Sequence, residues 1–320
     1  MTASTAAPTL SHWSPRVGPP DVASPLAVFP LFGPEPRLAY RSLAQAAPLG
    51  ATVMEMPGGA SVNNLVVTNP TDLPVLLYEG EEVLGAQQNR TFDVSVLVPA
   101  GGKLTVPVSC VEHGRWDGSR HGEALRPAPQ AAYPGLRRRK SAALRAGLAA
   151  AGEMRADQGE VWAEIAAKSA RLAAPSPTAA MHDVYEHRRT SLADLVAKVP
   201  LHPGQVGALA AIGGRCVVLD CVSRPDVFAS LHGPLLQGYA LDALDAPTRV
   251  PAVPLAPEAF VAAIRGAAVI AHAGLGLGRV ARFSSPPVAG TALLADDEVV
   301  QLTAFAEEHA GRIRRPSQRR

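Results

Sequence analysis

The sequence predicts an α+β fold, with a β-rich N-terminal half built like a sandwich or open barrel, a helical middle and a mixed α+β C-terminal half. Short Val- and Leu-rich runs punctuated by Pro, Gly, Asn and Asp fill residues 26 to 112. Helical apolar spacing takes over beyond residue 141, and from residue 205 onward both patterns occur. Many short strands joined by turns fit a sandwich or barrel better than a parallel sheet.

Residues 1 to 24 alternate Pro, Ser, Thr and Ala and read as a disordered leader. The β-rich half, 25 to 116, has strands expected at Leu26 to Leu31, Thr52 to Met56, Leu65 to Thr68, Val75 to Tyr78, Phe92 to Val98 and Leu104 to Val111, with a helical turn at Ser42 to Ala47. Residues 117 to 140 are rich in Pro and Arg and read as a linker ending in Arg137-Arg138-Arg139-Lys140. In the third region, 141 to 306, helices are expected from Ser141 to Arg155, from Glu160 to Leu172, and from Thr178 to Val199, where Leu192, Leu195, Val196 and Val199 share one face. Val206 to Ile212 and Arg215 to Val222 flank Gly213-Gly214 as a hairpin. Helical segments starting near Pro225 and Pro234 follow, then a helix from Pro257 to Ala268 and closing strands at Arg279 to Phe283, Thr291 to Leu294 and Val299 to Phe305. Residues 307 to 320 form a basic tail.

Composition narrows the function. With 320 residues, 47% apolar and 18% charged, the chain buries a substantial core. No run of eighteen apolar residues spans a bilayer, and Met1 through Pro20 lacks the basic and apolar regions of a secretory signal, so no membrane partner and a cytoplasmic location are expected. Cys110, Cys216 and Cys221 suit a reducing compartment and write no zinc framework. The net charge of +2 includes five arginines in the last ten residues, so the body is mildly acidic and no sequence-specific nucleic-acid partner is expected. Neither a cofactor nor a metal is assigned.

Gly274-Leu275-Gly276-Leu277-Gly278 is followed by strand alternation, not by the helix a dinucleotide fingerprint needs, and reads as a flexible turn. His182 and His187 are five positions apart and match no metalloprotease order, so a solvated helix face is expected. Cys216 and Cys221 should point to opposite faces of their strand as core thiols. Asp220 ends an apolar strand, as a cap, a turn former or a cleft residue.

The densest polar constellation runs from Glu79-Gly80-Glu81-Glu82 to Gln87-Gln88-Asn89-Arg90 and returns in Ser109-Cys110-Val111-Glu112-His113-Gly114-Arg115-Trp116. Polar groups are expensive in β-rich surroundings unless bonded to one another or to a ligand. The carboxylates Glu79, Glu81, Glu82 and Glu112, the amides Gln88 and Asn89, the guanidiniums Arg90 and Arg115, and Trp116 suit an anionic ligand with a ring. The same groups also read as structural pairs, Glu82 with Arg90 and Glu112 with Arg115. Strand alternation sets Cys110 and His113 on opposite faces, so they are not assigned as a nucleophile and base, although both stay in the candidate ligand set.

These blocks, Gly80 to Arg90, Ser95 to Ala100 and Pro107 to Trp116, resemble the ARG and rhodanese-phosphatase-superfamily-associated protein domain family. The resemblance extends from about residue 26 to 306 and includes Leu219-Asp220 and Leu235 to Ala243. Gln87 stands where similar sequences carry a basic residue, which weakens the assignment of a phosphate-binding lysine there. The resemblance implies a link to ADP-ribose or nucleotide chemistry through gene association. Three expectations follow. The first is a pocket for an ADP-ribose- or nucleotide-like small molecule, formed by Glu79, Gln88, Asn89, Arg90, Cys110, His113, Arg115, Trp116 and Asp220. The second is a hydrolase with Glu82 or Glu112 as general base, with or without a carboxylate-held metal. The third is an interaction scaffold without a small-molecule site.

Overall fold

A computed structural model describes residues 10–59, 61–151, 156–246 and 256–307. In chain order it forms β1 (Arg16–Val17), β2 (Asp21–Ala23), β3 (Leu26–Phe32), β4 (Arg41–Ser42), α1 (Leu43–Ala46), β5 (Thr52–Met54), β6 (Asn64–Thr68), β7 (Val75–Leu77), β8 (Glu81–Leu84), β9 (Arg90–Phe92), β10 (Val96–Val98), β11 (Lys103–Cys110) and β12 (Arg126–Ala131). There follow α2 (Pro134–Ala151), α3 (Gln158–Arg171), α4 (Met181–His187), α5 (Arg189–Val196), β13 (Gln205–Ile212), β14 (Arg215–Val222), α6 (Pro225–Leu244), α7 (Pro257–Arg265), β15 (Val269–Ala273), β16 (Arg279–Ser285), β17 (Val288–Ala295) and β18 (Glu298–Ala306). The class is α+β with a β-rich N-terminal region.

Six strands pair in the order β12-β8-β9-β11-β6-β5. A bridge between Val53 and Leu125, just before β12, joins the two ends of that row, so a small barrel closes. Leu65, Val67, Val83, Phe92, Val106 and Val108 fill it. The three-stranded sheet β10-β7-β4 adds Val75, Leu77, Val96 and Val98 to the same core. The single strand expected over Phe92 to Val98 is divided, because Asp93 takes the Lys140 ammonium and the Ser109 hydroxyl while Ser95 accepts the Glu79 N–H.

A nine-stranded sheet runs β1-β3-β13-β14-β18-β17-β16-β15, with β2 also on β3. Around β13 both of its faces are covered, so Ala208 and Ala210 enter one core and Val206, Leu209 and Ala211 the other. That explains why β13 is apolar almost without alternation. The leader expected over 1 to 24 needs correction where it is described: β1 and β2 pair with β3, and Leu10 and Ala23 are buried. Low apolar content hides strands whose stability comes from ladder bonds. The register shift on the β13–β14 hairpin, Ala210 opposite Val218 but Ala211 opposite Cys216, leaves Val217 as an extra residue. Cys216 and Cys221 therefore share one core rather than facing apart.

The segment read as a linker contains β12 and the first turns of α2. Pro134 opens that helix in place of Ser141, and the Gly135 N–H donates to the Asp242 carboxylate at 2.7 Å. The helix expected over 178 to 199 is broken at Arg188 into α4 and α5. The segments expected to start at Pro225 and Pro234 are one helix, α6, whose buried Leu231, Leu235, Leu236 and Tyr239 continue across the proline. Its packing outweighs the cost of the internal proline, about 3 kcal/mol. The Gly274–Gly278 run joins β15 to β16, and a Cβ on Gly276 would meet the Leu97 carbonyl at 2.1 Å. The glycine thus permits a close backbone approach, with the Leu277 N–H donating to the Leu97 carbonyl at 2.8 Å, and the turn is a clasp onto the barrel side.

Arg137, on α2, joins barrel, helices and sheet. Its guanidinium donates to both Asp220 oxygens, at 2.9 and 2.6 Å, and to Glu79 at 2.9 Å. Tyr78, Tyr239 and Thr303 hydroxyls also donate to Asp220. Asp220 is 0% exposed, and Arg137 and Glu79 are buried beside it. Arg137→Met leaves two buried carboxyls without their cation, and the expected loss is about 3–5 kcal/mol. Urea unfolding measures it; a denaturation midpoint equal to that of the parent would contradict this account of the junction.

Candidate functional site

Register and packing sort the polar constellation into four places. In the β8–β9 ladder Glu82 lies opposite Thr91 and Val83 opposite Arg90; in the β9–β11 ladder Arg90 lies opposite Cys110. Val83, Phe92 and Val108 fill the barrel, so Arg90 and Cys110 point into it, while Glu82, Thr91 and Ser109 point out toward the helices. The alternative pairing of Glu82 with Arg90 is therefore not made.

On the outer side Glu82 accepts from Gln130 Nε2 at 2.6 Å, and the same amide lies 2.8 Å from His182 Nδ1. His182 is thus tied to the Glu82 cluster rather than simply solvated, while His187 lies on the last turn of α4. Glu82 Oε1 and Thr91 Oγ1 are buried without hydrogen-bond partners.

Beyond the end of β11 the two sequence segments do meet. Glu112 accepts from Arg115 Nε (2.9 Å) and Nη2 (2.6 Å), from the Asn89 N–H (3.1 Å) and from Thr178 Oγ1 (2.9 Å). Arg115 also donates to the Ala86 carbonyl and to Asn89 Oδ1. Burial opposes the Glu112 charge, but these donors outweigh it and hold its pKa below the ordinary carboxylate range. Glu112 has its hydrogen-bonding capacity filled, which makes it a poor general base and realises the structural pairing with Arg115.

Inside the barrel mouth Arg90 is 0% exposed and Glu55 stands 3.5 Å from it. Gln88 Oε1 accepts from Arg90 Nη1 at 3.2 Å. The Trp116 ring lies over this guanidinium, 5.7 Å from centroid to Cζ, and is itself 50% exposed. Cys110 donates its thiol to the Val62 carbonyl, and burial pushes its pKa up to about 11. His113 packs on Trp162, with ring centroids 4.2 Å apart and the planes tilted by 39°. Glu79 and Asp220 belong to the Arg137 cluster. No three His, Cys, Asp or Glu side chains among the described residues come together to hold a metal.

Sequence reasoning missed Glu55, Gln130, Arg137 and Thr178. Arg137, Lys140, Ser141 and Leu144 have the i, i+3, i+4, i+7 spacing of one helix face, which signals that Arg137 and Lys140 of the basic run are buried and paired. Glu55 continues the inward alternation of Val53, a signal legible only once β5 is placed on the barrel.

Burial pushes Glu81 up to about 7 and Glu82 up to about 8. A carboxyl raised by folding stabilises the fold in its protonated form; for Glu82 that contribution is complete below about 4.5 and is lost as pH rises through about 8. The melting temperature should therefore fall from about pH 5 to about pH 9, and fall less steeply in Glu82→Gln. Parallel slopes in the two proteins would contradict a buried acid at this position.

The family model of the ARG and rhodanese-phosphatase-superfamily-associated protein domain matches residues 14–305. No curated protein and no solved structure matches the chain. No helix among the described residues is long and apolar enough to cross a membrane. The polar blocks that meet at Asn89 and Glu112 lie within the matched span, and the chain belongs to the ARG and rhodanese-phosphatase-superfamily-associated protein domain family.

Proposed function

We propose that the chain is a cytoplasmic binding protein for an ADP-ribose- or nucleotide-like ligand, held where the Gln87–Arg90 and Glu112–Trp116 segments meet. One observation carries this reading: buried polar atoms without hydrogen-bond partners gather at the barrel mouth, on Glu55, Gln87 and Arg90. Polar groups withdrawn from water and left unpaired cost free energy that a polar ligand recovers. Trp116 supplies a half-exposed aromatic face at the rim, the feature that a flat ring uses.

Hydrolysis of such a ligand, expected with Glu82 or Glu112 as general base, is the second reading. Burial keeps Glu82 protonated near neutral pH, so on the outer face of the β8–β9 ladder it suits a general acid rather than the expected base, and one of its oxygens has no donor. The saturated Glu112 carboxylate favours instead an interaction scaffold whose polar residues are architecture.

Titration of the full-length protein with ADP-ribose, NAD and mononucleotides separates these readings. Binding should quench or shift Trp116 emission and raise the melting temperature by several degrees at a hundredfold excess over Kd, corresponding to about 2.7 kcal/mol. Trp116→Phe should remove the optical signal. Time-dependent loss of the ligand that Glu82→Gln abolishes would add the hydrolase reading; no shift with any of these ligands leaves the scaffold.

A further inference from the structure

The chemistry of the barrel mouth specifies which part of a nucleotide it suits. Arg90 spends Nη1 on Gln88 Oε1 and the Asn89 carbonyl. Its Nε and Nη2, the parallel N–H edge of the guanidinium, have no acceptor. Glu55 faces Nη2 at 3.5 Å without a hydrogen bond, and both of its oxygens lack donors. Both side chains are 0% exposed. A donor edge and an acceptor pair thus stand side by side as an ion pair, neither of them with a hydrogen bond. Cys110, across the ladder from Arg90, adds a neutral thiol.

A phosphate on the Arg90 edge would sit against the Glu55 carboxylate, and two anions in a low-dielectric interior repel strongly. Arg115 offers no alternative fork, because Nε and Nη2 are both spent on Glu112. A neutral planar group with an N–H donor beside an acceptor satisfies Glu55 and Arg90 together without adding charge. Nucleobases carry such edges.

We infer that the barrel mouth, through Glu55 and Arg90 under the Trp116 indole, recognises the base of a nucleotide and leaves the phosphates at the solvent-facing rim. This inference rests on the nucleotide reading above. Entry requires the Trp116 segment to move. That segment is pinned by the Asp117 N–H to the Gln87 carbonyl at 3.3 Å and by Gln87 Nε2 to His121 Nδ1 at 3.2 Å, bonds that can exchange for water.

Calorimetric titration of the full-length protein with adenosine, guanosine, cytidine, their 5′-monophosphates and inorganic pyrophosphate tests it. At least one phosphate-free nucleoside should bind, pyrophosphate alone should not, and Glu55→Gln should weaken that nucleoside or reorder the three by about tenfold or more. Glu55→Asp, which keeps the charge and withdraws it by one methylene, gives the same readout if the glutamine variant fails to fold. Monophosphates that bind while no nucleoside does, or nucleoside affinities unchanged in folded Glu55 variants, would overturn base recognition and leave the nucleotide reading standing. Failure of every compound would overturn base recognition, and failure of ADP-ribose and NAD as well would overturn both.

Discussion

The Arg137 guanidinium is the constraint on which the architecture rests, because a buried cation admits few arrangements of its surroundings. Taking it and two carboxyls out of water costs several kcal/mol per ion, recovered only when donors and acceptors meet at hydrogen-bond distance. Asp220 collects five donors from α2, the β7–β8 turn, α6 and β18, so those elements have one mutual placement. Gly80 belongs to this geometry: it has φ of 85°, and a Cβ there would lie 2.6 Å from Arg137 Cδ. The turn that starts β8 is therefore held by the junction, and the register of β8 on β9 carries that placement on to Glu82 and Arg90.

Within the polar region the contrast is between groups that are filled and groups that are not. Glu112 with Arg115, and Asp93 with Lys140 and Ser109, are complete networks of the kind that set a unique core. Glu55, Arg90, Glu82 and Thr91 are incomplete. Their incompleteness falls on both faces of the β8–β9 ladder, the inner face offering recognition chemistry and the outer face a protonated carboxyl.

Much of the strand pattern was legible in the sequence, because β3, β6, β11, the β13–β14 hairpin and the closing strands carry dense Val and Leu between strong turn signals. The Gln88–Arg90 and Glu112–Arg115 segments were legible as two polar blocks too costly to leave unpaired, but whether they meet depends on tertiary packing that local pattern does not contain. Their partition across the sheet was not legible either. It depends on which residues of β8, β9 and β5 face inward, and a one-residue difference in register reverses that. Nor did local pattern show Arg137 as a core residue, since four consecutive basic residues look like a solvated run until helix spacing separates Arg137 and Lys140 from Arg138 and Arg139. The shared face of Cys216 and Cys221 depends on a bulge at Val217 that no alternation rule contains.

The placement of β3 also bears on how the chain is made. Phe29 pairs with Leu209 and Val28 with Ala210, so β3, with only β1 and β2 beside it in the meantime, waits for about 180 further residues of translation before its β13 ladder partner leaves the ribosome. The barrel, whose strands all lie between β5 and β12, has its pairing partners much sooner. Leu26, Val28 and Leu31, all buried in the finished protein, lack the cover of β13 until it emerges, and apolar surface exposed in that way is what makes a partly folded chain prone to aggregate.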